Sequence, residues 1–207
     1  MLPGPTITRQ CSACGEHFAE QTIASGNTFG ARFWSDGKRD APMLPDSPWL
    51  VKCRHCCSLV WIDEQTQIEE IEPWGSSDRF PDVLPPSTPT LEDYANFLST
   101  GVNNKEKERY VRLRAWWTGN DPRRASGQST PLDSFETENL RSFVTLLDEA
   151  EENNRIMKAE AFRELGEFAD AEKLLATNFA DELIQSVSLI RGFTQNEITT
   201  VEEMRFE

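Results

Sequence analysis

Five cysteines lie in two short stretches of the sequence. CSAC holds Cys11 and Cys14, and after a gap of 38 residues CRHCC holds Cys53, Cys56 and Cys57. Each Cys-x2-Cys turn can present two thiolates to one ion. Two such turns complete a tetrahedral zinc site, with sulfur about 2.3 Å from the metal. The spacing therefore predicts one four-cysteine metal site and one cysteine that is left over.

The two turns can be compared in register to find the extra cysteine. In CSACGEHF and CRHCCSLV, Cys57 falls where Gly15 stands. The residue after the second ligand of such a turn commonly needs a special backbone conformation that suits glycine. The predicted ligands are accordingly Cys11, Cys14, Cys53 and Cys56. A pairing of Cys53 with Cys57 would need a wider turn.

The chain has only two histidines, His17 and His55, and each lies beside a complete cysteine pair. They are possible substitute ligands, although surface positions are the simpler expectation. A catalytic zinc keeps a coordination position open for water, and four cysteines leave none. The sequence also lacks a His-Glu-x-x-His pattern. One structural zinc per chain and a protein that is not an enzyme are therefore expected.

The pair of cysteine turns resembles the zinc-ribbon and rubredoxin-like family. The gap of 38 residues exceeds the 15–20 that is common in such ribbons, so an inserted hairpin or loop is expected. The resemblance also implies an alternative cofactor, iron, and with it a rubredoxin-like carrier of single electrons. Thioredoxin-like disulfide chemistry is less well supported, because neither cysteine pair lies in a βαβ pattern.

The net charge of −14 is unevenly distributed along the chain. Residues 101–125 carry 7 basic and 3 acidic side chains, whereas residues 126–207 carry 7 basic and 18 acidic ones. Non-specific nucleic-acid binding depends mainly on Lys and Arg, so an acidic chain is not expected to bind nucleic acid. A zinc-ribbon nucleic-acid binder that uses the basic segment 101–125 is a further alternative.

The residue pattern divides the chain into three parts and predicts an α+β fold. Residues 1–74 contain short runs rich in Phe, Trp, Val and Ile, which favour strands in a zinc-binding β module. Residues 75–90 are rich in Pro and Ser and are typical of a linker or extended strap. Residues 91–207 have helical periodicity. Three features mark the first helix, a Thr90 N-cap, Asp93 at its third position and a stop at Gly101.

Within the helical part, the spacing of three residues in the basic segment, Tyr110, Leu113 and Trp117, predicts that they face the core. The segment AEAFRELGEFADAEKLL, residues 159–175, resembles part of a tetratricopeptide repeat. The matching positions are Ala159, Phe162, Gly166, Phe168, Ala171 and Leu175. The resemblance implies a TPR-like hairpin of two helices, and one copy predicts a hairpin packed on neighbouring helices rather than a peptide-binding superhelix.

Residues 25–45 concentrate Gly, Asp, Arg and aromatic residues without a clear period. Loops of this kind often carry function, and Arg, Trp and Met are enriched at protein interfaces. A partner-binding surface is therefore expected at Arg32, Phe33, Trp34 and Met43. The alternative is an ordered loop in which Phe33 and Trp34 are buried.

Neither a secretion signal nor a run of about 18 apolar residues is found, so a cytoplasmic location without membrane contact is expected. Through its two cysteine turns and the segments NTFGARFWSDG, APMLP and RLRAWWTGNDPRR, the whole chain also looks like a set of bacterial proteins in which a four-cysteine module precedes an acidic helical part. That resemblance implies this architecture and no chemistry. The resulting expectation is a non-enzymatic protein-interaction or adaptor protein with a structural zinc and a protein partner of unknown identity.

Overall fold

The structure, a computed structural model, describes residues 1–206 and has an α+β fold, as predicted. Its strands are β1 (Leu2–Gln10), β2 (His17–Ser25), β3 (Arg32–Trp34), β4 (Arg39–Asp40), β5 (Leu50–Lys52), β6 (Leu59–Trp61), β7 (Thr66–Ile71) and β8 (Glu203–Met204). Its α-helices are α1 (Leu91–Ser99), α2 (Lys105–Ser126), α3 (Ser134–Thr145), α4 (Glu152–Glu164), α5 (Phe168–Leu175) and α6 (Ile184–Gln195).

The chain divides into two compact units. The first, the β unit, comprises residues 1–31 and 40–93, and the second, the helical unit, comprises residues 32–39 together with the chain from Tyr94 onward. This division differs from the boundaries expected at 74 and 91. Residues 32–39 belong with the helices because their polar groups are bonded there, as described below.

The β unit is built on an antiparallel sheet in the order β2-β1-β7 and a separate hairpin of β5 and β6. In the sheet, Thr8 of β1 is paired with Ala19 on one side and Glu69 on the other. The small core of the unit contains two of the predicted metal ligands. It is formed by Cys11, Phe18, Val51, Cys53 and Val60.

The Pro-rich residues 75–90 form an extended strap on the β unit. Leu84 accepts a backbone hydrogen bond from Ala19 of β2, and Ser87 exchanges two with Lys52 of β5, at 2.9 and 3.3 Å. Helix α1 begins directly after this strap. As predicted, Thr90 and Asp93 cap one another, and Gly101, at φ +83°, ends the segment.

The helical unit has two adjoining apolar cores. One core is formed by Trp116, Leu140, Phe143, Val144, Leu147 and Ala161. The other is formed by Ala159, Ala171, Leu174, Leu175, Val187 and Ile190. Helix α2 buries Trp116, while the three residues expected in the core, Tyr110, Leu113 and Trp117, are half-buried. Its buried face also contains Asn120 and Arg123, so polar partners as well as apolar contacts determine its orientation.

Helices α4 and α5 form the hairpin expected at residues 159–175. Gly166 adopts φ +76°, and the N–H groups of Gly166 and Glu167 bond the carbonyls of Arg163 and Phe162. This is the bonding pattern of a Schellman motif, which ends a helix at a left-handed residue. Ala159 and Ala171 are fully buried, so small side chains occupy positions in the hairpin core. Within residues 1–206, no helix combines the length and apolar character needed to cross a membrane.

Candidate metal centre

The two cysteine turns have the same backbone hydrogen bonds. In the first, the N–H of Gly15 bonds the carbonyl of Cys11 at 2.8 Å, and the N–H of Cys11 bonds the carbonyl of Glu16 at 2.8 Å. In the second, the N–H of Cys57 bonds the carbonyl of Cys53 at 3.0 Å, and the N–H of Cys53 bonds the carbonyl of Ser58 at 3.0 Å. The two segments are therefore matching knuckles, and each directs two sulfur atoms to one side.

The residue after the second cysteine has a left-handed backbone in both knuckles. Gly15 has φ +82° and Cys57 has φ +62°. The register in which Cys57 occupies the glycine position is thus the one that the structure adopts. A left-handed conformation costs a non-glycine residue roughly 1–2 kcal/mol, so this backbone suits Gly15 better than Cys57.

The sulfur atoms of the four predicted ligands form one compact cluster. The Sγ atoms of Cys11, Cys14, Cys53 and Cys56 all lie within 4.8 Å of one another. Across the knuckles, Cys11 and Cys56 are 3.9 Å apart and Cys14 and Cys53 are 3.8 Å apart. A tetrahedron with metal–sulfur bonds of about 2.3 Å has edges of about 3.8 Å, so these thiols have the spacing of a tetrahedral thiolate site.

Cys11 and Cys53 are buried and Cys14 and Cys56 are exposed, and all five cysteines of the chain are free thiols. One side of the cluster is therefore covered by the core of the β unit, while the other faces solvent. Such a group can bind a metal ion through four thiolates, and this binding would join the two knuckles.

The thiols differ in how readily they ionise. Hydrogen bonds from the hydroxyl and the backbone N–H of Ser58 lower the pKa of Cys56 to about 6. For Cys14, the N–H of Glu16 favours the thiolate, but desolvation and the three neighbouring thiols raise the pKa to about 12. Desolvation also raises the pKa of Cys53. Four adjacent thiolates repel one another, so full ionisation of the cluster requires a cation at its centre.

The two histidines lie beside the cluster rather than within it. His17 and His55 line a cleft of about 400 Å³ next to the knuckles, and His17 stacks on Phe80 of the strap with ring centroids 4.6 Å apart. Within the described part of the chain, the sulfur cluster is the one group of three or more His, Cys, Asp or Glu side chains with metal-binding spacing. The histidines are therefore not placed as substitute ligands.

The expected partner-binding residues are divided between the two units. Met43 belongs to the β unit, whereas Arg32, Phe33 and Trp34 belong to the helical unit. Arg32, Phe33 and Met43 are exposed, but Trp34 is only 6% exposed. The guanidinium groups of Arg32 and Arg124 lie 5.2 and 5.6 Å from the Trp34 ring. Trp34 is thus a core residue, and its assignment as an exposed anchor is corrected.

Sequence reasoning missed a buried polar network in the helical unit that contains Asp36. The Asp36 carboxylate accepts hydrogen bonds from Asn120, at 3.0 Å, and from Arg124, and its backbone carbonyl accepts one from Trp117 at 2.9 Å. Two hydrogen bonds join the neighbouring Ser35 to Glu202. The N–H of Ser35 donates to the carbonyl of Glu202, and the hydroxyl of Ser35 accepts from the N–H of Glu202. These bonds fix residues 32–39 to the helices. An acidic residue in an Asp-Gly turn predicts only the turn, so no local pattern indicated this burial.

Glu164 lies at the centre of the same network. Its carboxyl accepts hydrogen bonds from Trp116 at 2.9 Å and from Asn120 at 3.1 Å. Burial, together with the negative charges of Glu160 and Asp36, raises the pKa of Glu164 to about 8, although Arg163 acts in the opposite direction. Burial in this network therefore favours the protonated form of Glu164.

No protein-family model, curated protein or solved structure matches this chain.

Proposed function

We propose that this protein is a non-enzymatic interaction or adaptor protein whose β unit is organised by one structural zinc ion. One observation supports the zinc site best. Two knuckles with matching backbone hydrogen bonds contribute four Sγ atoms, all of which lie within 4.8 Å of one another. The proposed ligands are Cys11, Cys14, Cys53 and Cys56. Zinc favours this set because it accepts four thiolates in tetrahedral geometry without redox chemistry.

A structural role follows from the number and the position of the ligands. Four sulfurs complete the coordination of zinc, so no position remains for water or substrate. Cys11 and Cys53 are also part of the core of the β unit. A structural zinc can supply on the order of 10 kcal/mol of folding free energy, which suits a unit whose core is small.

The interaction role is supported by aromatic side chains that the β unit exposes to solvent. Trp74 is 91% exposed, Phe29 is 85% exposed and Trp49 is 53% exposed. Exposed large apolar groups mark recognition surfaces when they stand close together or beside a groove. A metal-fixed β unit would hold such side chains in place for a protein partner.

Metal analysis of the purified full chain tests the zinc site. We expect one zinc per chain and no visible absorption. Two neighbouring substitutions form a matched pair. Cys57→Ser should retain one zinc because Cys57 lies outside the cluster, whereas Cys56→Ser should lose the metal or unfold the β unit. Metal that survives Cys56→Ser and is lost with Cys57→Ser would contradict the proposed ligand set.

A second candidate function is a rubredoxin-like iron electron carrier. The same tetrahedral spacing suits iron, and the exposed Cys14 and Cys56 would bring the metal close to solvent. Iron held by four thiolates absorbs visible light, whereas zinc does not. Purified protein that is coloured, contains one iron per chain and undergoes reversible one-electron reduction would replace the adaptor proposal with this one.

Reconstitution tests the interaction role. A protein that co-purifies with the full chain from native cells should re-form a complex when both are purified separately and mixed, and size-exclusion chromatography with light scattering would measure its stoichiometry. The metal-free Cys56→Ser variant should fail to form the complex. If no captured protein re-forms a complex with the wild-type chain, the adaptor role is rejected while the zinc site remains.

A further inference from the structure

Trp74 has an unusual combination of exposure and backbone conformation. It is 91% exposed, and its φ is +69°. The N–H of Gly75 bonds the carbonyl of Glu72 at 2.9 Å, so residues 72–75 form a β-turn with Pro73 and Trp74 at its centre. The third position of a turn with positive φ is usually Gly or Asn. A bulky aromatic residue there is an outlier that calls for an explanation.

The fold itself does not benefit from this tryptophan. A side chain that is 91% exposed buries almost no apolar surface, while the left-handed backbone is unfavourable for any residue with a Cβ atom. Glycine would form the same turn without strain. Strain of this kind is typically retained at binding sites, where the presented side chain has a use.

Trp74 lies at a groove of about 670 Å³ in the β unit. Prolines form much of its lining. They are Pro3, Pro45, Pro48, Pro73, Pro85 and Pro86. Proline has a fixed φ and no N–H group, so these walls are stiff and offer few competing hydrogen-bond donors. The groove is thus preformed and mostly apolar.

One side of the groove is the outer strand of the sheet. Five consecutive residues, 19–23, of β2 line the groove. Strand side chains alternate between the two faces, so a run of consecutive lining residues indicates access to the strand edge. In the sheet order β2-β1-β7, β2 is an edge strand, and the strap meets it through Ala19. Beyond Ala19, that edge can receive another strand.

The groove belongs to a strongly acidic unit, because residues 1–31 and 40–93 carry 4 basic and 13 acidic side chains, and the charged side chains that line it are Glu20 and Asp46. Glu20 is paired with Arg9 at 2.6 Å. A positively charged segment therefore complements the acidic β unit better than a negatively charged segment does. We propose that the groove binds an extended, basic segment of a protein partner, which pairs with the edge of β2 while Trp74 packs over it. This inference rests on the proposed adaptor function and specifies its site and its ligand.

The probe is an eight-residue peptide of alternating lysine and valine with blocked termini, added to the ¹⁵N-labelled full chain. We expect chemical-shift changes at the amides of Gln21 and Ile23 and at the Trp74 indole. A peptide of alternating glutamate and valine should bind at least tenfold more weakly. The lysine peptide with N-methylated amides on one edge should also bind at least tenfold more weakly, because it cannot pair with a strand.

Two exposed aromatic residues provide a matched pair of variants. Trp74→Ala should weaken binding of the lysine peptide at least tenfold and should leave the urea midpoint of unfolding nearly unchanged, because alanine keeps the Cβ atom and the lost side chain is exposed. Phe29→Ala removes an equally exposed ring that does not line the groove, so it should leave the affinity unchanged. The proposal is overturned if Trp74→Ala binds like the wild type, if the glutamate peptide binds equally well, or if the shifts map outside β2. Because the peptide assay uses purified protein, these results are independent of metal analysis and of the reconstituted complex.

Discussion

Cys57 combines a thiol with a backbone conformation that favours glycine. Its φ is +62°, and its N–H completes the second knuckle by bonding Cys53. The conformation is required by the knuckle, whereas the thiol lies outside the four-sulfur group. Gly15 fulfils the same backbone role in the first knuckle without a side chain. The side chain of Cys57 is therefore dispensable for the geometry of the cluster.

Because the knuckle needs the backbone conformation of Cys57 but not its thiol, the effect of Cys57→Gly can be predicted. The substitution should raise the free energy of unfolding of the metal-loaded protein by up to about 1 kcal/mol, because glycine adopts positive φ without the penalty of a Cβ atom. One zinc per chain should remain. Urea unfolding monitored by circular dichroism, with metal analysis of the same samples, measures both quantities. A loss of zinc would show that Cys57, and not its neighbour, is a ligand.

Glu164 makes stability depend on pH in a direction that can be worked out. Its pKa is about 8 in the folded protein, against 4.5 for an ordinary glutamate. Between these values the folded state holds a proton that the unfolded state has released. The contribution of Glu164 to stability is therefore complete below pH 4.5 and is lost as the pH rises towards 8.

Glu164→Gln tests this pH dependence because glutamine has the shape of the protonated acid but does not titrate. The free energy of unfolding of the wild type should fall relative to that of Glu164→Gln by about 1 kcal/mol per pH unit between pH 5.5 and 7.5. Urea titrations at three pH values would measure the slope. Glu138→Gln, at an exposed position of α3, is the control and should follow the wild type. Parallel curves for the wild type and Glu164→Gln would show that Glu164 is ionised in the folded protein.

At the scale of elements, the hairpin around Asp36 and Gly37 acts as part of the helical unit. The backbone N–H of Trp34 bonds the carbonyl of Lys38 across its turn. Gly37, at φ +79°, faces Met157, and a Cβ atom added to Gly37 would lie 2.8 Å from the Cε atom of Met157. Asp36 is fully buried, so desolvation raises the pKa of its carboxyl group, whereas the neighbouring Arg124 acts in the opposite direction. The helices therefore depend on a segment that precedes them by more than fifty residues in the sequence.

Removal of Asp36 should destabilise the helical unit strongly. Asp36→Ala leaves Arg124 and Asn120 buried without this partner, and breaking a buried pair typically costs about 3–5 kcal/mol. Arg39→Ala, at an exposed position of the same segment, should change the stability by less than about 0.5 kcal/mol. Urea unfolding followed by helical circular dichroism compares the two variants. Equal midpoints would show that the network does not hold this segment.

Local patterns predicted the elements that local interactions determine. The Thr90 cap, the stop at Gly101 and the Gly166 turn are formed within a few residues, so their chemistry is visible in the sequence. Strand β1 has no such local signal, because Pro3 and Pro5 interrupt the strand pattern and its pairing with β7 joins residues about sixty positions apart. The burial of Asp36 and of Trp116 likewise depends on contacts between distant segments.

The metal site was predictable because its spacing is local within each knuckle. The groove at Trp74 was not, since it combines β1, β2, the strap, residues 45–48 and the turn at Trp74, which are far apart in the sequence. The exposed state of Trp74 depends on a backbone angle that composition does not reveal. Tryptophan in a sequence usually indicates core, and only the structure separates Trp34, which is buried, from Trp74.

At the scale of the whole molecule, charge decides which partners can approach. The net charge of the chain is −14, and the basic segment 101–125 is a part of the sequence in which basic side chains outnumber acidic ones. In the structure it lies almost entirely within α2, and several of its arginines are already paired. Arg123 forms two bonds with Glu136, at 2.6 and 2.9 Å, Arg124 contacts Asp36, and Arg112 bonds Glu108 at 2.8 Å.

These pairings predict that the full chain has no useful affinity for nucleic acid. Cations that are already paired release few counterions from a phosphate backbone, and the acidic remainder of the chain repels it. At 150 mM salt the dissociation constant for a 24-base-pair duplex, DNA or RNA, should be weaker than about 100 μM, as measured by fluorescence anisotropy. Arg109→Glu, at an exposed position of the basic segment, should give the same fluorescence anisotropy of the duplex as the wild type. Submicromolar binding that weakens steeply with salt and is abolished by Arg109→Glu would instead identify α2 as a nucleic-acid site.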